Sequence, residues 1–129
     1  MKVLVTGATG FVGAAVVREL LKEDAEIRVL VRAQSDRSNI DGLSVEPVIG
    51  DLRDAVSVRD AVAGCDSVFH VAADYRLWTP RPEEMYDSNV DGSRNLVRAA
   101  AEAGASRIIY TSSVATLGII PDGPPGDEE

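Results

Sequence analysis

Cysteine, histidine and lysine are all scarce in this chain. Cys65 is the single cysteine in 129 residues, so no disulfide can close within the chain and a disulfide-stapled scaffold is excluded. His70 is the single histidine. One His and one Cys cannot supply a metal site at the usual ligand spacings, and no metal is expected. Lysine occurs only at Lys2 and Lys22. Long apolar runs are missing too. No stretch approaches the roughly 18 residues that a membrane span needs, and the apolar stretch within Met1–Gly7 is too short for a signal peptide. Positive charge is outweighed: 13 Lys and Arg stand against 21 Asp and Glu, a formal net charge of −8. Such a chain is poorly suited to nucleic acid or to an anionic membrane surface. The expectation from these absences is a soluble, cytoplasmic protein.

Hydrophobic residues at 45% and charged residues at 26% are ordinary for a globular protein, and 129 residues suffice for one domain, residues 1–129. Val3 to Val5 is a short apolar run that stops at Thr6-Gly7. Val12, Val16, Val17, Leu20 and Leu21 then recur at three- and four-residue spacing, which marks one helix face. Glu26 to Val31 reads as a second strand, Ala33 to Gly42 as a polar loop, and Val45 to Ile49 as a third strand. Asp54 is placed to cap a short helix through Val62, with Gly64 as its stop. Ser67 to Ala72 reads as a fourth strand. Pro82 suits the first turn of a long helix running to about Ala103, with Gly104 closing it. Arg107 to Tyr110 reads as a fifth strand, and the chain beyond Gly118 as loop. Apolar strands alternating with helices predict an α/β fold, a doubly wound parallel sheet covered on both faces.

The segment Thr6-Gly7-Ala8-Thr9-Gly10-Phe11-Val12-Gly13 lies directly between the first strand and the first helix. A helix N-terminus offers free backbone N–H groups and a positive dipole end, which suit a pyrophosphate. Gly7 permits the tight turn, Gly10 allows backbone and phosphate to approach, and Gly13 lets helix pack on strand. The alternative is a purely structural βα turn. The end of the second strand bears on the choice of dinucleotide. An acidic residue there would bond a ribose 2′-hydroxyl. This chain has Val31 and then Arg32, whose planar fork suits a 2′-phosphate. NADP is therefore the preferred cofactor and NAD a possible one, with Arg37 in the same loop able to help. Arg32 as a solvated surface residue is the other reading. Val71, Ala72 and Ala73 fall at the carboxyl edge of the fourth strand, where ligands bind in such sheets. His70, in mid-strand among apolar residues, reads as a satisfied core residue.

The T-G-A-T-G-F-V-G turn after an M-K-V-L-V strand resembles the extended short-chain dehydrogenase/reductase family, in its epimerase/dehydratase branch. Four later segments follow in the same order: Gly50-Asp51-Leu52-Arg53, Val68-Phe69-His70-Val71-Ala72-Ala73, the helix segment from Ser88 to Leu96, and Tyr110 to Gly118. Within the family, Ala73 to Trp78 together with Ser112 to Gly118 resembles hopanoid-associated sugar epimerases and dihydroflavonol reductases.

The resemblance implies a Rossmann fold, NAD(P) binding and hydride transfer on a small-molecule substrate, a sugar or a related compound. It implies that Gly7, Thr9, Gly10, Phe11, Val12 and Gly13 contact the cofactor. Asp51 and Leu52 would stand at the adenine end and Ser88 near the cofactor, with Asn89 in a buried structural role. Thr111 would line the strand end, and Ser113 would be the catalytic hydroxyl. It also raises a homodimer through the long helix.

The family's Tyr with a Lys four residues later is absent: Tyr75, Tyr86 and Tyr110 are followed at that distance by Thr79, Val90 and Val114. The expectation is therefore a fragment, cut after the fifth strand, that binds a cofactor but is inactive alone. A non-catalytic dinucleotide sensor or interaction module is the alternative. Arg76, Trp78 and Arg81 suit a substrate mouth, a solvated loop or a subunit contact.

Overall fold

The computed structural model describes residues 1–118, 121–124 and 126–127. Within the loop expected after Gly118, Ile119, Ile120, Pro125, Glu128 and Glu129 lie outside the described residues. Five strands form one sheet: β1 (Lys2–Thr6), β2 (Glu26–Val31), β3 (Glu46–Ile49), β4 (Ser67–His70) and β5 (Arg107–Tyr110). All pairings are parallel and the spatial order is β3-β2-β1-β4-β5. This is the doubly wound, Rossmann-like arrangement. The order reverses between β1 and β4, and that switch point is where such sheets open a crevice at their carboxyl edge.

Central position explains composition. Val3, Leu4 and Val5 of β1 are fully buried, because both faces of the strand are covered. Val3 and Val5 join Ile27, Val29 and Val31 in a core under α1 (Phe11–Lys22), which contributes Ala14 and Val17. Leu4, Leu30 and Val68 point the other way. They meet Val58, Ala61 and Val62 of α2 (Ala55–Val62) and Leu96, Ala99 and Ala100 of a helix before β5. Asp54 caps α2 by accepting from the Val56 N–H at 3.0 Å. The connection from β2 to β3 carries no α-helix, only a 3-10 turn (Ser38–Ile40) whose Ile40 joins the α1-side core with Leu43 and Val45.

Two expectations shift. The fourth strand ends at His70 rather than Ala72, because the Ala72 N–H turns away to the side chain of Thr6 at 3.3 Å. The long helix is not one α-helix. It runs as α3 (Pro82–Tyr86), a π-helical turn (Asp87–Asp91) and α4 (Gly92–Glu102), closing at Gly104 with φ +76°. A π turn inside a helix is rare and is found mostly near functional sites. Here α4 begins at Gly92, where a Cβ would come within 2.8 Å of the Leu52 side chain.

Candidate functional site

Because all five strands are parallel, their carboxyl ends share one edge, and Gly7–Gly13, Arg32, Asp51–Leu52, Val71–Ala73 and Thr111–Ser113 each follow one of them. At its centre is the glycine turn. Gly7 adopts φ +74°, and its carbonyl accepts from the Gly10 N–H at 3.0 Å. A Cβ on Gly7 would lie 2.6 Å from the Ala72 nitrogen, and one on Gly13 would lie 2.0 Å from the Gly7 carbonyl oxygen. The protein's own packing therefore requires both. Gly10 is different: a Cβ there would meet only the Gly7 oxygen, at 3.4 Å, and its backbone, at φ −83° and ψ 172°, suits any residue. Gly10 caps α1 with no side-chain partner and no acidic residue in the first turn. The first-turn N–H groups thus keep their capacity for an outside acceptor. Phe11 and Val12 are exposed beside it.

A brace not foreseen in the sequence holds this turn. Asn39 donates from Nδ2 to the Thr9 carbonyl at 2.8 Å, and Arg18 of α1 donates to the Asn39 carbonyl at 2.7 Å.

Arg32 stands exposed just after β2 and makes no ion pair among the described residues. Its charge reaches two carboxylates on this edge, Asp51 and Asp74. Asp51 is held below the usual carboxylate range chiefly by Arg53, which donates from Nε at 3.0 Å and Nη2 at 2.6 Å, with Arg32 a smaller contributor. Asp74 is held low chiefly by Arg76, again with a smaller contribution from Arg32. Leu52 is half-buried against α4, and its carbonyl accepts from Asn95 Nδ2 at 2.9 Å.

Past β4, Val71 packs on the α1-side core, Ala72 is half-buried and Ala73 is exposed. His70 is 1% exposed and fully engaged, with Nδ1 2.7 Å from Thr6 Oγ1 and Nε2 2.8 Å from Ser93 Oγ. Burial pushes its pKa down to about 4, so the ring is neutral. Asn89, in the π turn beside half-buried Ser88, grips the backbone of Asp74: its Oδ1 accepts from the Asp74 N–H and its Nδ2 donates to the Asp74 carbonyl, both at 2.7 Å. At the end of β5 the Thr111 N–H donates to the His70 carbonyl at 2.9 Å. Exposed Ser113 caps a 3-10 turn (Val114–Thr116) by accepting from the Ala115 N–H at 3.2 Å, which leaves its hydroxyl hydrogen able to donate elsewhere. Around the mouth, Tyr75, Leu77 and Trp78 are exposed, while Arg76 and Arg81 are already paired, with Asp74 and Glu84.

The sequence profile described as the NAD dependent epimerase/dehydratase family matches residues 3–129. The chain belongs to that family. It is 45% identical over 123 residues to the sterol demethylase protein B of Methylococcus capsulatus, covering 95% of this chain and 38% of that protein. A crystal structure of gox2253 superposes with a TM-score of 0.89 at 56% identity, over 98% of this chain and 38% of that one. The UDP-glucose 4-epimerase of Thermus thermophilus, solved as a complex with NAD, superposes with a TM-score of 0.84 at 30% identity, over 99% of this chain and 43% of that one. The chain thus spans less than half the length of these relatives.

The family's dinucleotide fits the residues present. Packing requires Gly7 and Gly13 but not Gly10, and the open space beside Gly10 with the uncapped N–H groups of the α1 N-terminus is where a pyrophosphate would be held. Sequence reasoning did not single out Asn39, and it placed Ser93 and Asn95 within the Ser88–Leu96 helix segment without giving either a contact. Each acts across a long sequence separation, which periodicity and capping patterns do not report. Among the described residues no helix is long and apolar enough to cross a membrane.

Proposed function

We propose that this chain is the dinucleotide-binding portion of an enzyme that transfers hydride to or from a hydroxyl-bearing or carbonyl carbon of a small molecule, a sugar or a related compound. The observation that carries this reading is Gly10, a helix-capping glycine that the protein's own packing does not require. In this reading the turn from Gly7 to Gly13, with Thr9, Phe11 and Val12, holds the pyrophosphate. Arg32 meets a 2′-phosphate, which favours NADP(H) over NAD(H). Asp51 and Leu52 border the adenine end, Val71, Ala72, Ala73, Ser88 and Thr111 flank the rest of the cofactor, and the nicotinamide supplies the hydride chemistry. Ser113 donates its free hydroxyl hydrogen to the substrate oxygen and orients it. The exposed side of α4, with Val97, offers a surface for a second copy. The reading also makes the protein cytoplasmic, where this cofactor is held.

Calorimetric titration with NADP(H) and NAD(H) tests this, beside Gly10→Val. The variant is expected to keep the far-UV signal and melting temperature and to lose binding. Retained affinity in a folded variant would mean that the turn is structural only.

A further inference from the structure

Five groups from three separate segments form one directed chain of hydrogen bonds around His70. Ser93 Oγ lies 2.6 Å from the Asn89 carbonyl, which can only accept, so the hydroxyl hydrogen points there. Toward His70 the same oxygen must then accept, and Nε2, 2.8 Å away, carries the ring proton. Nδ1 is left with its lone pair and accepts from Thr6 Oγ1 at 2.7 Å. Thr6 Oγ1 in turn accepts from the Ala72 N–H at 3.3 Å. The relay thus runs from Ala72 N–H through Thr6, His70 and Ser93 to the Asn89 carbonyl, with one tautomer and one direction. Asn89 closes the circuit, because its side-chain amide holds both backbone groups of Asp74.

We propose that His70 is a positioning residue: through this relay it sets the shape of the segment Val71–Asp74 against the glycine turn. Among the described residues the segment's one strand-like backbone bond is that of the Val71 N–H to the Thr6 carbonyl at 3.3 Å. Its form comes from the two ends of the circuit, Ala72 and Asp74. The Ala72 nitrogen is also the atom that a side chain on Gly7 would strike first. The relay and the turn therefore share a contact, and displacing Ala72 displaces the wall opposite Gly7. The π turn belongs to the same device, since it carries Asn89 and lies one turn before Ser93. Its bearing on dinucleotide affinity rests on the function proposed above.

The test uses the whole chain at neutral pH. Thr6→Val keeps the side-chain shape and deletes the hydroxyl, Thr6→Ser restores it, and Ser93→Ala cuts the relay from the helix side. Hydrogen exchange at the Ala72 N–H is expected to quicken about tenfold in Thr6→Val and in Ser93→Ala, the loss of one part-buried hydrogen bond. Thr6→Ser should stay near wild type. Nitrogen shifts should report an Nε2–H ring in the wild type. For NADP(H), the dissociation constant should rise about tenfold with the first two variants and not with the third. Unchanged exchange at Ala72 in Ser93→Ala, or an Nδ1–H ring, overturns the relay. A lower melting temperature with unchanged exchange and affinity reduces His70 to core packing and overturns it too. If the wild type binds no dinucleotide, the function proposed above fails by itself, and the exchange and nitrogen measurements still decide the relay.

Discussion

A Cβ on Gly13 would lie 2.0 Å from the carbonyl oxygen of Gly7, so α1 and the turn approach to a distance that only glycine at position 13 permits, while Gly7 is fixed by its φ of +74° and by Ala72. Gly10, three residues from each, has no such constraint. The same repeat thus mixes two kinds of glycine, and substitution separates them. Gly13→Ala must displace backbone and is expected to cost several kcal/mol, about 3 or more, seen as a collapsed urea midpoint. Gly10→Ala should change stability by less than about 1 kcal/mol while weakening dinucleotide binding. Equal destabilisation by the two would show that Gly10 is also a packing residue.

Arg32 is exposed on this edge and, like the half-buried Arg37 of the same loop, has no ion-pair partner among the described residues, whereas Arg53, Arg76 and Arg81 are each engaged. A free guanidinium can meet a phosphate without first breaking a bond to a carboxylate. Arg32→Ala is expected to weaken NADP(H) by about 1.5–3 kcal/mol, roughly ten- to a hundredfold, and NAD(H) far less. Arg32→Asp should reverse the preference. Paired calorimetric titrations read both, and equal losses for the two cofactors would remove Arg32 from the 2′-phosphate site.

Much of this architecture was legible in sequence because it depends on local pattern. The apolar runs of β1 and β2, the spacing of Val12 to Leu21, the cap at Asp54 and the stops at Gly64 and Gly104 are set within a few residues, and the structure places elements there. What escaped depends on partners far along the chain. The fourth strand stops early because Thr6, 66 residues away from Ala72, competes for its N–H. The helix opens into a π turn where Asn89 reaches back 15 residues to Asp74 and where Gly92 abuts Leu52. Asn39 looked like one polar residue among many in a loop, and only the fold brings it to Thr9.

Stability should depend on His70 in a window of its own. Its folded pKa, about 4, lies below the ordinary value of 6.5, so the unfolded chain binds the proton more readily between those limits. The contribution is fully present above pH 6.5 and is lost as pH falls toward 4. From pH 7 to pH 5 the loss is about 2 kcal/mol. The carboxylates of Asp51 and Asp74, held low by Arg53 and Arg76, titrate below this window and do not mask it. Urea midpoints at pH 7, 6 and 5 should fall in the wild type and stay nearly level in His70→Asn, which has no titrating ring. Parallel curves for the two proteins would remove His70 as the source.

Cofactor binding and turnover should come apart in this chain. Ser113 can donate one hydrogen bond to a substrate oxygen, but a serine hydroxyl is a poor acid at neutral pH. No tyrosine in the sequence has a lysine four residues on, the pair that the family resemblance assigns to proton transfer. Loss of an acid/base group costs about 10²–10⁴-fold. Arg76 and Arg81 at the mouth are already tied to the carboxylates of Asp74 and Glu84. Residues 1–129 are therefore expected to bind NADP(H) by calorimetry and to leave NADPH absorbance unchanged with sugars and ketones. Ser113→Ala should leave that affinity within about twofold, because the side chain caps the 3-10 turn rather than the cofactor turn. In a longer protein carrying this chain and a Tyr-x-x-x-Lys pair, the same substitution should lower kcat with little change in cofactor affinity. NADPH oxidation by residues 1–129 at the rate of the longer protein would show that the acid is already here, and would shift the search to Tyr75, Tyr86 and Tyr110.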